Sequence, residues 1–435
     1  MKIKEVSDKS KILIISYYWP PAGGPGVQRW LKFVKYLPEF GIIPHVYVPE
    51  NPSYPIVDKE MIADVDENIV IIKRKIFEPY QIASIFGCKK TQEISSGIIP
   101  KIKSQSAIEK ILLWIRGNFF IPDARIFWVR PSVKFLHKYI KEQGITTIVT
   151  TGPPHSLHLI GLKLSDKNNI RWIADFRDPW TTIGYQKSLR LSNYAKKKHL
   201  FLEQKILKNA DHIIVTSPTT KMEFAFLTEK PISVITNGYD NIENFEQVQP
   251  DSLFTIAHIG SLLSDRNPLF LWEILQELKA EIPNFADDLQ LKLIGKISSE
   301  VLESINDFGL NNNVNNLGYL SHNDSIAEQR KSQVLLLIEI NSLETKCIIP
   351  GKLFEYLVSQ RPIIAIGPDG SDIKKIIEES QTGIFVDYSE KALLKEHIIN
   401  LYQKYKSNSI TVGAIDVAQY SRLNLTKKLL EIIQT

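Results

Sequence analysis

The sequence predicts two doubly wound α/β domains with parallel sheets, one after the other along the chain. Three observations carry this. Short apolar runs of strand length alternate with amphipathic helical stretches, the pattern that builds parallel sheets. The pattern begins near Ile12, pauses over a polar stretch at 240–253 and begins again at Phe254. The 435 residues suffice for two domains that each bury a core. The expected division is a first domain at 1–239, a linker at 240–253, a second domain at 254–415 and a terminal helix at 416–435.

Composition narrows the function classes. Apolar content of 43% and charged content of 23% are those of an ordinary globular protein. The net charge of +5 permits weak attraction to an anionic membrane surface and gives no argument for nucleic acid. Cys88 and Cys347, the two cysteines, lie far apart, which implies no disulfide framework and fits a reducing, cytoplasmic compartment. The apolar run before Pro20 is too short for a signal peptide, and no run approaches the roughly 18 apolar residues of a spanning helix.

The first half opens βαβ. Residues 12–16 read as a buried strand, and a loop with Gly23, Gly24 and Gly26 follows. Val27, Trp30, Leu31, Val34 and Leu37 recur at helical spacing until Gly41 stops the helix, and 42–48 is the second strand. Glycines between strand and helix let a ligand approach the backbone. They are not a dinucleotide fingerprint: Tyr17 to Pro21 intervene after the strand, and a motif starting at Gly24 would end on Arg29. Asp64-Val65-Asp66 matches a D-x-D metal motif before a strand at 69–73, without matching context. Residues 107–130 interleave Trp114, Phe119, Phe120, Phe127 and Trp128 with Arg116, Arg125 and Arg130. That suits either a membrane interface or a helix covering the first sheet.

Pro131 is expected to start a helix that Gly144 ends. A strand at 145–151 leads to His155, with His158 one turn on, at the ligand edge of such a sheet. A strand at 170–174 ends in Asp175-Phe176-Arg177-Asp178, which reads either as a polar acceptor site or as a self-satisfied salt-bridge cluster. A basic helix at about 190–210, a strand at 212–215, a cap at Ser217-Pro218 and a strand at 232–235 complete this half.

The second half repeats the scheme. A strand at 254–259 runs into Gly260-Ser261, with Arg266 further along; Asn267 is expected to cap the next helix and Pro268 to be its first residue. Strands follow at 290–294, at 314–317 before Gly318-Tyr319-Leu320, and at 334–338. Residues 340–386 read as turn, short helix, buried strand, glycine turn, helix and strand. Gly351 and Lys352 open the first of these helices, and Glu355 lies one turn inside it. A cation and a carboxylate so spaced suit a nucleoside diphosphate, with phosphate at Lys352 and a ribose diol at Glu355. An ordinary helix with exposed Glu and Lys has the same pattern.

K-L-F-E-Y-L, then R-P-I-I-A-I-G and an acidic helix, resembles the donor-binding segment of family 4 glycosyltransferases. These are retaining enzymes of the GT-B fold, two Rossmann-like domains facing across a cleft, whose terminal helix crosses back to the first domain. The resemblance extends to Y-W-P-P-A-G-G, which looks like the family's first loop and implies that Gly23 and Gly24 lie against acceptor and donor diphosphate. It implies that His155 is the catalytic-loop histidine near the donor sugar and that Glu355 is the second glutamate of the double-glutamate motif. D-F-R-D-P-W implies an acceptor site at Asp175, Arg177 and Asp178, and N-G-Y-D at 237–240 resembles the turn ending the first domain. Gly260, Arg266, Tyr319, Gly351 and Lys352 fall where the family holds the nucleotide. Two positions depart from the pattern: Ser261 replaces a diphosphate-gripping arginine, and Cys347 replaces the first glutamate.

The implied activity is transfer of a sugar from a nucleotide-sugar to a glycan or lipid-linked acceptor with retention, in cell-surface polysaccharide or glycoconjugate biosynthesis. No metal or other cofactor is expected, the nucleotide-sugar being a co-substrate. Expected partners are that donor, that acceptor and an anionic membrane met peripherally on its inner face, with no nucleic acid. A nucleotide-sugar epimerase of the same fold and a non-catalytic binding subunit are the competing readings.

Overall fold

The computed structural model describes residues 10–78, 107–184, 186, 189–240, 248–412 and 416–435. The chain forms two compact units, Met1–Thr236 with Arg422–Thr435, and Asn237–Ser421.

The first unit is built on a seven-stranded, all-parallel sheet. Its strands are β1 (Ser10–Ile15), β2 (Ile42–Pro49), β3 (Val70–Arg74), β4 (Thr147–Gly152), β5 (Arg171–Phe176), β6 (His212–Val215) and β7 (Ile232–Val234), in the order β3-β2-β1-β4-β5-β6-β7. Helices cover both faces, so the strands read as continuous apolar runs. One face packs against Trp128, Leu136, Leu157, Ile160 and Leu207, the other against Trp30, Leu31, Val34 and the terminal helix Arg422–Gln434 through Leu425 and Leu429. Arg171 Nη1 donates to the Ile433 carbonyl at 3.1 Å and fixes the end of that helix.

The second unit repeats the architecture with six parallel strands: β8 (Phe254–Ile259), β9 (Leu289–Ile294), β10 (Val314–Gly318), β11 (Val334–Ile338), β12 (Ile363–Gly367) and β13 (Gly383–Asp387), in the order β10-β9-β8-β11-β12-β13. The strand order reverses between β1 and β4 in one sheet and between β8 and β11 in the other. At such a switch point the crossovers leave in opposite directions and open a crevice at the carboxyl ends of the strands.

Two helix starts differ from expectation. Pro131 lies inside helix Ile126–Gln143 rather than opening it. The start is set upstream, where the Asp123 carboxylate accepts the Arg125 N–H at 2.9 Å. Asn267 does not cap, and Pro268 precedes helix Leu269–Glu281 rather than belonging to it. The Asn267 side chain accepts from Trp272 Nε1 at 2.7 Å and donates to Ser304 at 2.8 Å, so it ties two helices together.

Candidate functional site

In the second unit, β8 ends in Gly260, whose φ of +114° only glycine adopts without strain. The Ile259 N–H donates to the Tyr356 hydroxyl at 3.1 Å, which anchors helix Gly351–Leu357 against the end of β8. This brings the half-buried Lys352 to the switch point. Its Nζ donates to the Ile259 carbonyl at 3.1 Å, lies 3.3 Å from His258 Nε2 and would be 3.5 Å from a Cβ on Gly260. Burial, and then Arg266, pull the Lys352 pKa down to about 7 against the opposing pull of Glu339. His258 is fully buried and held neutral, first by burial and then by Lys352. Arg266 closes a short turn after β8, and its Nη2 donates to Glu339 Oε2 at 3.2 Å. Gly260, Arg266 and Lys352 therefore gather at one strand-end site, with a buried carboxylate that sequence reasoning passed over.

Gly351 is the first residue of a seven-residue helix, too short to contribute much dipole, so positive charge at the site comes from the two side chains. Glu355, on the same helix, turns towards helix His322–Lys331. It accepts from Gln329 Nε2 at 3.1 Å and lies 3.9 Å from His322 Nε2. Tyr319 follows β10 and is 82% exposed. Cys347 is buried, its thiol 3.8 Å from the Glu344 carbonyl, and puts no carboxylate into the site.

In the first unit the Asp175-Arg177-Asp178 trio separates. Asp175 is fully buried. It accepts from Arg29 Nη2 at 2.8 Å and Nε at 3.3 Å, from Trp30 Nε1 at 2.7 Å and from Thr151 Oγ1 at 2.8 Å. Burial works against its charge, yet Arg29 and these bonds outweigh it and hold its pKa below the usual carboxylate range. The expectation of an acceptor-facing Asp175 is revised accordingly: its lone pairs are spent inside the sheet. Arg177 donates to the carbonyls of Gly26 (2.8 Å), Gly152 (3.3 Å) and Pro153, and so ties together the loops after β1, β4 and β5. A Cβ on Gly26 would lie 2.3 Å from Arg177 Nη1, so this glycine makes room for the guanidinium. Asp178 is half-buried, accepts no hydrogen bond among the described residues, and is pushed upward in pKa by burial.

Gly23 packs against Ile56 and Asp58, where an added Cβ would clash at 2.9 Å, whereas Gly24 (φ +94°) has open space beside it. His155 is buried and stacked on Trp180, ring centroids 4.8 Å apart, and neither ring nitrogen is hydrogen-bonded among the described residues. Burial first, then His158, keep it neutral. His158 bonds Thr150 at 2.9 Å and packs on Phe176, as a core histidine does. The D-x-D pattern is taken up locally: Asp64 pairs with Lys32 at 2.9 Å, and Asp66 accepts from Asn68. Helix Ala107–Phe119 buries Leu113 and Gly117 but leaves Ile111, Trp114 and Phe119 exposed, and Phe127 is exposed just beyond it.

Two all-parallel Rossmann-like units, of seven and six strands, define the GT-B fold. Residues 254–404, which hold the Gly260–Arg266–Lys352 site, match the family model of glycosyl transferases group 1, and this match supports a glycosyltransferase. No curated protein sequence matches the chain significantly. Among solved structures the chain is similar to a glycosyltransferase from Rickettsia africae (TM-score 0.62, 16% identity, 98% of each chain covered). It is also similar to sucrose-phosphate synthase from Thermosynechococcus elongatus (0.61, 15%, 98% of each chain). A UDP-GlcNAc 2-epimerase from Methanocaldococcus jannaschii shares the fold as well (0.52, 12%, 98% of this chain and 99% of that one). At these identities the likeness is one of fold.

Proposed function

We propose that this chain is a retaining glycosyltransferase that moves a sugar from a nucleotide-sugar to a glycan or lipid-linked acceptor in cell-surface polysaccharide or glycoconjugate biosynthesis. The observation that carries the reading is the pair Arg266 and Lys352 beside Gly260, at the switch point of the sheet that matches the family model. Two cations at a strand-end glycine are arranged to hold a diphosphate and to offset the charge that builds on it as the sugar leaves. Glu355 holds the ribose, the neutral His155 keeps the catalytic role that the family resemblance implies, and Asp178, with its uncommitted carboxylate, takes the acceptor-binding role in the first unit.

The test is a panel of nucleoside diphosphates in a thermal-shift measurement, followed by turnover of the matching nucleotide-sugar. A bound diphosphate raises the melting temperature by mass action. Glu355→Gln is expected to weaken donor binding by roughly 1–3 kcal/mol, the scale of a lost charged hydrogen bond; a folded variant of unchanged affinity removes Glu355 from the site. Because the fold also houses a protein named as an epimerase, the nucleotide-sugar is incubated without acceptor too. Conversion to an epimer there overturns the transfer reading.

The exposed Trp114 and Phe119 of helix Ala107–Phe119, with Arg116 in its last turn, fit a peripheral contact with the anionic inner face of the membrane. Among the described residues no helix is long and apolar enough to cross one. Binding to anionic vesicles is expected to fall in the Trp114→Ser, Arg116→Ser double variant and with added salt. Wild-type protein that ignores such vesicles assigns the surface to another purpose.

A further inference from the structure

Glu339 has no part in the function proposed above, yet it is the most deeply placed charge near the site. It follows β11 directly and is 1% exposed. Its backbone is pinned on both sides: the N–H donates to the Ile366 carbonyl at 2.8 Å, and the carbonyl accepts from the Tyr388 hydroxyl at 2.7 Å. The side chain is thereby aimed at the switch point, where Oε2 accepts from Arg266 Nη2 at 3.2 Å. Among the described residues the buried Nε of Arg266 has no partner, so the contact with Glu339 sets the orientation of the guanidinium. Among the described residues Lys352 meets no anion within hydrogen-bonding distance; it meets the Ile259 carbonyl and the His258 ring. The charged groups that act on it are Glu339 from the end of β11 and Arg266 from the turn after β8.

We infer that Glu339 is the positioning residue of the cation pair, the internal anion that Arg266 and Lys352 share until a diphosphate takes its place. The inference rests on the reading of that pair as the donor diphosphate site. A buried carboxylate beside two cations aims the guanidinium and offsets the repulsion between the two positive charges. It also decides how much of Lys352 is charged near neutrality, because burial and Arg266 depress its pKa to about 7 while Glu339 alone raises it. Diphosphate binds the charged lysine. The Lys352 contribution to affinity is therefore level below that pKa and declines as pH rises above it, and the ionisation of the diphosphate itself, common to every variant, cancels in the comparison with wild type. Without the Glu339 carboxylate Lys352 loses its proton earlier, and the decline begins at lower pH. Without Arg266 the shift has the opposite sign.

The experiment takes whichever of ADP, GDP, CDP and UDP the wild-type protein binds and titrates it calorimetrically from about pH 6 to about pH 9, a range that brackets a lysine depressed this far. The proteins are wild type, Glu339→Gln, Arg266→Met, Lys352→Arg and the Lys352→Arg, Glu339→Gln double variant. Glu339→Gln is expected to move the onset of the decline down by about one pH unit and Arg266→Met to move it up. Lys352→Arg should abolish the decline, and Glu339→Gln should have no pH signature in that background. A merely structural Glu339 would lower affinity equally at every pH. An unmoved profile in folded Glu339→Gln, or a profile that Arg266→Met moves down or leaves in place should the first variant not fold, overturns the inference alone. A wild-type protein that binds no nucleoside diphosphate at any pH overturns the donor-site reading and this inference with it.

Discussion

Asp175→Asn is expected to destabilise the first unit by roughly 3–5 kcal/mol, the cost of breaking a buried ion pair from one side. The Asp175 carboxylate is completely buried and takes hydrogen bonds from Arg29, Trp30 and Thr151. Arg29 is buried as well, its Nη1 donating to the Thr236 carbonyl at 2.8 Å. Asparagine keeps the shape but leaves a guanidinium in the sheet with no counter-charge, and part of its amide faces donors it cannot accept from. Replacing both partners, with Arg29→Met and Asp175→Leu, should cost much less than the single change, because no charge is then left stranded. The sign with pH follows from the depressed Asp175 pKa. Its contribution is present above the unfolded value of about 4 and disappears as pH falls through the lower folded value, so wild type loses stability on that acid limb and Asp175→Asn loses less. Urea unfolding followed by tryptophan fluorescence reports the right unit, since every tryptophan but Trp272 lies in it. A loss under about 1 kcal/mol would show that the sheet does not depend on this pair.

The same residues mark how far the sequence could be read. β8, β6 and β11 were legible to the residue, because strands buried on both faces appear as unbroken apolar runs between polar turns. The helix starts at Ile126 and Leu269 were not. Asparagine caps only when no other partner claims its side chain, and Trp272 claims that of Asn267. Proline marks a start only where none is set upstream, and the turn in which Asp123 accepts the Arg125 N–H sets one before Pro131. Within the site, Gly260 and Lys352 stood out through a glycine at a strand end and a cation at a helix start. Glu339 carries no such signal beyond a carboxylate following an apolar run, the cue that drew attention to Asp175. Pairing is what local pattern cannot supply. Arg29 lies 146 residues from Asp175, and Arg266 lies 73 residues from Glu339. Asp175 therefore reads from sequence equally well as a binding residue and as half of a buried pair, and only its distant partner decides.

Arg266→Ala is expected to lose about 3 kcal/mol of transition-state stabilisation and Lys352→Ala about 2 kcal/mol, the usual scale for removing one group that stabilises developing charge. The order follows from geometry. A guanidinium grips two phosphate oxygens at once, whereas an ammonium acts as a point charge. With a pKa near 7, Lys352 is also only partly charged around neutrality. Ser261 brings no charge, so the pair faces the diphosphate with little help from the short helix at Gly351. The double variant should be non-additive, since both cations act on one diphosphate and both are tied to Glu339. Losing Arg266 leaves that carboxylate to act on Lys352 alone, which raises the charged fraction of the lysine and recovers part of the loss; losing both forfeits the recovery, so the combined loss should exceed the sum at pH values above about 7. Turnover with the nucleotide-sugar, and affinity for nucleoside diphosphate against nucleoside, separate the terms. Nucleoside affinity should hold in all three variants while diphosphate affinity falls. If both single variants keep wild-type affinity for the diphosphate, the phosphates bind elsewhere on the chain and the reading of Arg266 and Lys352 as the diphosphate clamp fails.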